Sequence, residues 1–178
     1  KIAETNSKDQ PAKWMVKELE GKKKDNKAFV LTKTKNSGQT YNLAIQEKTE
    51  LQDLVIRVQV KALKGEEDQG GGPIWRAQDK DNYYIARWNP LENNFRVYYV
   101  KDAKRKQLGT AEVEVDPNKW HEVKIVMKGN KITASLNGKK MIQVEDDTFK
   151  KSGKIGLWTK ADAVTGFDNL VVNKVSKQ

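Results

Sequence analysis

Apolar and polar residues alternate with a period of two through short runs along most of the chain, and turn residues separate the runs. Such alternation puts successive side chains on opposite faces, so each run predicts a half-buried antiparallel strand. The runs fall near residues 27–33, 40–46, 53–62, 72–78, 82–88, 94–101, 107–115, 120–128, 131–136, 140–145, 153–159 and 164–174. The strongest hairpin signal is "ITASLNGKKMIQV", where Asn137–Gly138 offers the two positive-φ residues of a type I′ turn. Gly129–Asn130 marks another turn just before it, so residues 120–145 predict a three-stranded meander. Helical periodicity is weak, confined to Pro11–Leu19 and a single turn at Asp146–Lys151. Residues 1–12 are polar without alternation and predict a flexible lead, with 13–178 forming one domain. About a dozen strands exceed what one open twisted sheet holds. The expected architecture is therefore all-β, two antiparallel sheets packed face to face as a jelly-roll sandwich with one outer face bent concave.

Composition narrows the chemistry. The chain has 178 residues and a formal net charge of +10, which raises the case for a polyanionic partner. Its lysines are spread along the whole length, with short clusters at Lys22–Lys24, Lys104–Lys106 and Lys150–Lys151 beside turns, the pattern of a solvated surface. Nucleic acid is therefore not the expected partner. The absence of cysteine excludes disulfides, thiol nucleophiles and thiolate metal sites, and a single histidine, His121, excludes a multi-histidine zinc site. No cofactor is called for. No run approaches the ~20 apolar residues of a membrane span, and the start lacks both a signal-type apolar core and an initiating methionine. A mature form whose address has been removed is the expectation.

The densest cluster of glycine, aromatic and arginine residues is "GGGPIWRAQDKDNYYIARWNP" at 70–90. A phosphate loop needs a helix after its glycines, whereas here Pro73 and an alternating strand follow. The glycines instead predict a strand entrance with close backbone approach. The two strands put Trp75 and Arg76, Tyr84 and Ile85, Arg87 and Trp88 on opposite faces. Parity leaves Ile74/Arg76 and Trp75/Ala77 both open as the inward pair. "NFRVYYV" sets Phe95, Val97 and Tyr99 against Arg96 and Tyr98, and "KIGLWTKADAVTGFDNLVV" puts Trp158, Lys160 and Asp162 at alternate positions.

Arginine beside aromatic rings suits sugar recognition, because a ring stacks its C–H face on an aromatic while guanidinium N–H groups bond its hydroxyls. The candidate ligand-binding set is Trp75, Arg76, Tyr84, Arg87, Arg96, Tyr98, Trp158 and Lys160. Asp162 and Asp168 are the first carboxylates to consider for catalysis, while Glu112 and Glu114 read as the wet side of a strand. Asp79 and Asp81 could ligate a hard cation, but two acids in a polar turn read first as the turn itself. His121 shares parity with Val123, Ile125 and Met127 and reads as a packed, hydrogen-bonded side chain.

"NKWHEVKIVMKGNKITASLNGKKM" followed by "GKIGLWTKADAVTGFDNLVV" resembles the concanavalin A-like lectin/glucanase superfamily. With "GGGPIWRAQDKDNYYIARWNPLENNFRVYY" added, residues 26–174 are similar to the domain family named for 3-keto-disaccharide hydrolases. The resemblance implies a jelly roll, export to the periplasm or beyond the cell, and carbohydrate binding or breakdown. Three functions are carried forward. The first is an oligosaccharide- or polysaccharide-recognising sandwich, the second a glycoside hydrolase acting on an ordinary or 3-keto disaccharide, and the third a basic polyanion-binding domain.

Overall fold

Fourteen β-strands make up all the regular structure in the computed structural model, which describes residues 1–7, 11–20 and 26–176. They are β1 (Ile2–Thr5), β2 (Lys13–Glu18), β3 (Lys27–Lys33), β4 (Tyr41–Leu51), β5 (Leu54–Lys64), β6 (Gly72–Asp79) and β7 (Asn82–Asn89). The remainder are β8 (Asn94–Lys101), β9 (Lys104–Glu112), β10 (His121–Lys128), β11 (Lys131–Leu136), β12 (Lys139–Glu145), β13 (Gly153–Lys160) and β14 (Val164–Lys174). They form two antiparallel seven-stranded sheets. Sheet A runs β1-β4-β13-β6-β7-β8-β9 and sheet B runs β12-β11-β10-β5-β14-β3-β2. The jelly-roll sandwich expected from the alternation is thus the fold. Among the described residues no helix is long and apolar enough to cross a membrane.

Between the sheets lies a continuous apolar core. Sheet A contributes Trp75, Tyr84, Trp88, Phe95 and Val97, and sheet B contributes Ile56, Val58, Val60, Val123, Ile125, Met127 and Phe167. The β10–β12 meander forms as its turns predict, with Asn137 and Gly138 both at positive φ. His121 is buried at the core's rim. Its ring meets Trp88 edge-on at 4.7 Å, Nε2 bonds the Asp116 carbonyl at 2.7 Å, and Nδ1 bonds the Asn137 amide at 2.9 Å.

Two strands arise where no alternation announced them. In place of a flexible lead, Ile2–Thr5 pairs with β4 as the outermost strand of sheet A, and Lys13–Glu18, with its weak helical period, pairs with β3 at the far edge of sheet B. An edge strand needs one neighbour's hydrogen bonds and little buried surface, so its sequence can be polar. Residues 146–151 hold no helix; Asp146 instead caps its own turn by accepting from the Thr148 N–H at 2.8 Å. Lys22–Lys24 lie outside the described residues.

Sheet A is rolled about its outer face. From β4 to β9 is five strand spacings, about 24 Å in a flat sheet. Yet the Arg105 guanidinium on β9 lies 5.5 Å from the Tyr41 ring on β4. Thr5 on β1 hydrogen-bonds Tyr83 Oη on β7 at 2.9 Å, and Asn6 reaches the Ala103 carbonyl in the β8–β9 turn. The roll encloses a second apolar cluster of Tyr41, Leu43, Ile74, Tyr83, Ile85, Tyr98, Val100 and Trp158 on the face opposite the main core. Both faces of β6, β7 and β8 are consequently buried.

Candidate functional site

Gly70, Gly71 and Gly72 carry the chain into β6 through a gap that admits only backbone. A Cβ at these positions would meet the carbonyl oxygens of Trp88, Trp158 and Ala86. Gly71 and Trp88 exchange both backbone hydrogen bonds, at 3.0 and 3.1 Å. The strand-entrance reading therefore holds, and the acidic loop before it is drawn against the rolled face of sheet A. Asp162, in the β13–β14 turn, secures that loop by accepting from the N–H groups of Glu66, Glu67 and Asp68 at 2.7, 3.1 and 2.9 Å. Burial works to raise the Asp162 carboxyl, and these backbone donors outweigh it, holding it below the usual carboxylate range.

The loop delivers Asp68 into a buried polar cluster. Its carboxylate accepts from Lys160 Nζ at 2.8 Å and Asn89 Nδ2 at 2.8 Å, with Arg87 Nη1 at 3.8 Å. Burial pushes the Asp68 carboxyl up, and Lys160 and Arg87 only partly offset it. Arg87 donates through Nη2 to Glu92 at 2.9 Å, Asn94 at 3.0 Å and Tyr98 Oη at 3.1 Å. Arg96 joins from the neighbouring strand, donating to Thr110 Oγ1 at 3.1 Å and Tyr98 Oη at 3.4 Å. Arg105 lies 4.3 Å over the Tyr98 ring. Three guanidiniums thus converge on one tyrosine. Burial raises the Glu92 carboxyl too, but the Asn94 amide and the Arg87 and Arg96 charges hold it below its ordinary value.

A polar recess of about 640 Å³ opens beside this cluster, lined by Glu92, Asn94, Arg96, Thr110, Glu112 and Glu114 among others. Ligand pockets of this volume are common. Arg96 and Glu92 connect the recess to the buried groups, with side chains 32% and 49% exposed. A second recess of about 420 Å³ opens at the seam between the sheets. Its walls include Val16, Phe29, Ile45 and Leu157, and Asp168 lines its rim.

The eight residues expected to form one face fall into three places. Arg87, Arg96, Tyr98, Trp158 and Lys160 share the rolled face of sheet A, and Trp158 supports it from beneath, fully buried and bonded to Tyr83 Oη at 3.2 Å. Trp75 and Tyr84 lie on the opposite side, stacked on each other at 5.6 Å within the main core. Arg76 is separated from both groups by a break in register between Trp75 and Asp79, with φ at +44°. Its guanidinium donates to the carbonyls of Gln52, Phe149 and Gly129 at 2.7, 2.7 and 2.8 Å and pairs with Asp53 at 3.1 Å. These four bonds use all but one of the five N–H groups and make Arg76 a clamp between loops.

The weaker candidates also find places. Asp79 accepts from the Asp81 N–H and the Asn82 amide, and Asp81 takes Lys80 Nζ, so these carboxylates serve the hairpin turn. Among the described residues no group of three or more histidine, cysteine or acidic side chains is placed to hold a metal ion. Tyr41, Asp68, Glu92 and Arg105 were not singled out by the sequence. Asp68 stands in "KGEEDQGGG", which reads as a connecting loop, and Arg105 stands between two lysines in a solvated-looking run.

A model of the 3-keto-alpha-glucoside-1,2-lyase-like domain matches residues 4–173. No curated protein sequence matches the chain. Among solved structures, the carbohydrate binding module CBM66 from Bacillus subtilis superposes with a TM-score of 0.74 at 16% identity, covering 97% of this chain and 95% of that one. Domain 4 of AbnA, an extracellular arabinanase from Geobacillus stearothermophilus crystallised with arabinotriose, gives 0.60 at 12% identity over 96% and 81%. Sheep galectin-11 gives 0.54 at 11% identity over 74% and 96%. At these identities the likeness is one of fold.

Proposed function

Since the chain belongs to the 3-keto-alpha-glucoside-1,2-lyase-like domain family, we propose that it is a carbohydrate-recognition domain that binds sugar at the polar recess lined by Arg96, with Arg87, Tyr98 and Lys160 in the buried cluster behind it. The observation that carries this reading is the convergence of Arg87 and Arg96 on Tyr98 Oη beside a recess of ligand size. Fixed donors on a rigid sheet supply directional bonds to hydroxyls, and pre-organisation reduces the entropy lost on binding. The neighbouring sugar-binding structures share this architecture and favour the same reading.

Calorimetric titration against a panel of neutral and acidic oligosaccharides tests it. Binding is expected to weaken about tenfold, the worth of one hydrogen bond to a charged group, when Arg96 is replaced by alanine. Silence across the whole panel at millimolar concentration would overturn the proposal.

A second reading is favoured by one observation. Asp68 and Glu92 approach Arg87 from two sides, and their surroundings push their proton affinities in opposite directions. A carboxylate held ionised in the lining of a recess is what a general base requires. In this reading Glu92 takes the proton beside the ketone of a 3-keto-glucoside, Asp68 keeps Lys160 and Arg87 in place, and the departing oxygen is protonated from solvent. Full turnover by both Asp68→Asn and Glu92→Gln would discard it.

A further inference from the structure

Among the described residues, Arg105 is the one guanidinium of the cluster without a carboxylate. Asp68 is committed to Lys160, Asn89 and Arg87, and Glu92 to Arg87, Asn94 and, at 3.7 Å, Arg96. Arg105 has only ring faces, lying 4.3 Å over Tyr98 and 5.5 Å over Tyr41. Its Nη1 is buried without a hydrogen-bond acceptor, and so is Nε of Arg87 on the other side of the same tyrosine. A buried donor with no acceptor is costly, more so when charged. Four cations, Arg87, Arg96, Arg105 and Lys160, surround the two carboxylates Asp68 and Glu92, with Arg96 and Glu92 at the wet edge of the face and Glu112 and Glu114 in the recess beyond it. The rings of Tyr41 and Tyr98 are themselves buried, so what they leave for a ligand is the guanidinium that lies on them.

We infer that the sugar bound at this face is an acidic one, its carboxylate held by Arg105 and Arg96 next to Tyr98. The inference rests on the sugar-binding reading and names its ligand class. A carboxylate is planar and accepts through two oxygens, so it matches the guanidinium fork and supplies the acceptor that Arg105 lacks. Glu112 and Glu114, which line the recess beyond Arg96, repel a second acidic group there. The ligand is therefore one with a single carboxylate at the tyrosines and neutral hydroxyls toward the recess.

The test compares glucuronate- and galacturonate-terminated oligosaccharides with the same compounds after reduction of the carboxyl to an alcohol. Titration of the whole chain is expected to show at least about tenfold tighter binding of an acidic form. Arg105→Gln is expected to abolish that preference while leaving binding of the reduced form within about twofold. If the Arg105 variant does not fold, Arg96→Gln is read by the ratio alone: it weakens both forms, as loss of a recess donor requires, and is expected to abolish the preference for the acidic one. Lys151→Gln makes the same charge change at an exposed site outside the cluster and is expected to keep the preference. Equal binding of acidic and reduced forms overturns the inference and leaves sugar recognition standing. Silence of every form overturns both. Loss of the preference in Lys151→Gln overturns it as well, since net charge would then be its source.

Discussion

Replacement of Arg76 by methionine isolates what a buried guanidinium does for this fold. The side chain is 2% exposed and makes four contacts, three with main-chain carbonyls from separate loops and one with Asp53. Burial lowers its proton affinity, partly offset by Asp53. Methionine retains much of the volume and donates nothing, so three carbonyls lose the guanidinium at once and Asp53 keeps only the Gly129 N–H. Each hydrogen bond to a charged group contributes about 1.5–3 kcal/mol, but bonds that share one group do not add, and breaking one side of a buried pair costs about 3–5 kcal/mol. A loss of about 4 kcal/mol corresponds to a melting temperature lower by about 8–16 °C for a domain of this size. Arg76→Lys is expected to recover little, because one ammonium cannot span four acceptors arranged around a planar fork. Chemical denaturation followed by tryptophan fluorescence gives the free energy, and sugar titration of the folded fraction gives the affinity. A loss under about 1 kcal/mol, or a loss of sugar affinity with stability intact, would refute the clamp.

Other consequences of the geometry are as direct. Tyr84→Phe removes the hydroxyl that bonds Asp146 at 2.6 Å and accepts the Phe149 N–H at 3.1 Å, and is expected to cost about 1–3 kcal/mol in the same unfolding assay. Gly72→Ala drives a methyl into the Ala86 carbonyl, where strands leave no slack, and is expected to destabilise by about 3 kcal/mol or to prevent soluble expression. Asp162 is held below its usual range in the folded state, so its contribution is complete above the unfolded value of about 3.9 and is lost as pH falls through the lower folded value. Melting temperature measured from neutral pH downward should therefore fall more steeply in acid for the native protein than for Asp162→Asn.

Strand positions were legible because alternation is local: "EVKIVM" exposes its period whatever it packs against, and Asn137–Gly138 announces its turn unaided. The faces of β6 and β7 were not, for a physical reason. Parity tells core from solvent only when one side is wet, and the roll of sheet A dries both. The register break after Trp75 then takes Arg76 out of the alternation altogether, so no periodic argument could reach its true partners. Within the candidate site, Arg87, Arg96, Tyr98 and Lys160 were readable from strand spacing, whereas Asp68, Glu92 and Arg105 arrive from loops and an edge strand. What brings them together is the curvature, and curvature leaves no short-range mark on a sequence.

The rolled sheet also governs how this domain can change over time. In an ordinary sandwich strand every second position faces water and tolerates substitution at little cost. Along β7 every residue after Asn82 is buried, so the central hairpin has almost no neutral positions on which drift can act. Most of β2 and much of β9 and β12 remain exposed, and variation is channelled to those margins. Arg105 belongs to such a margin while its guanidinium reaches the centre of the face. Single changes at the rim can thus alter the chemistry of this face, while the strands beneath it stay fixed.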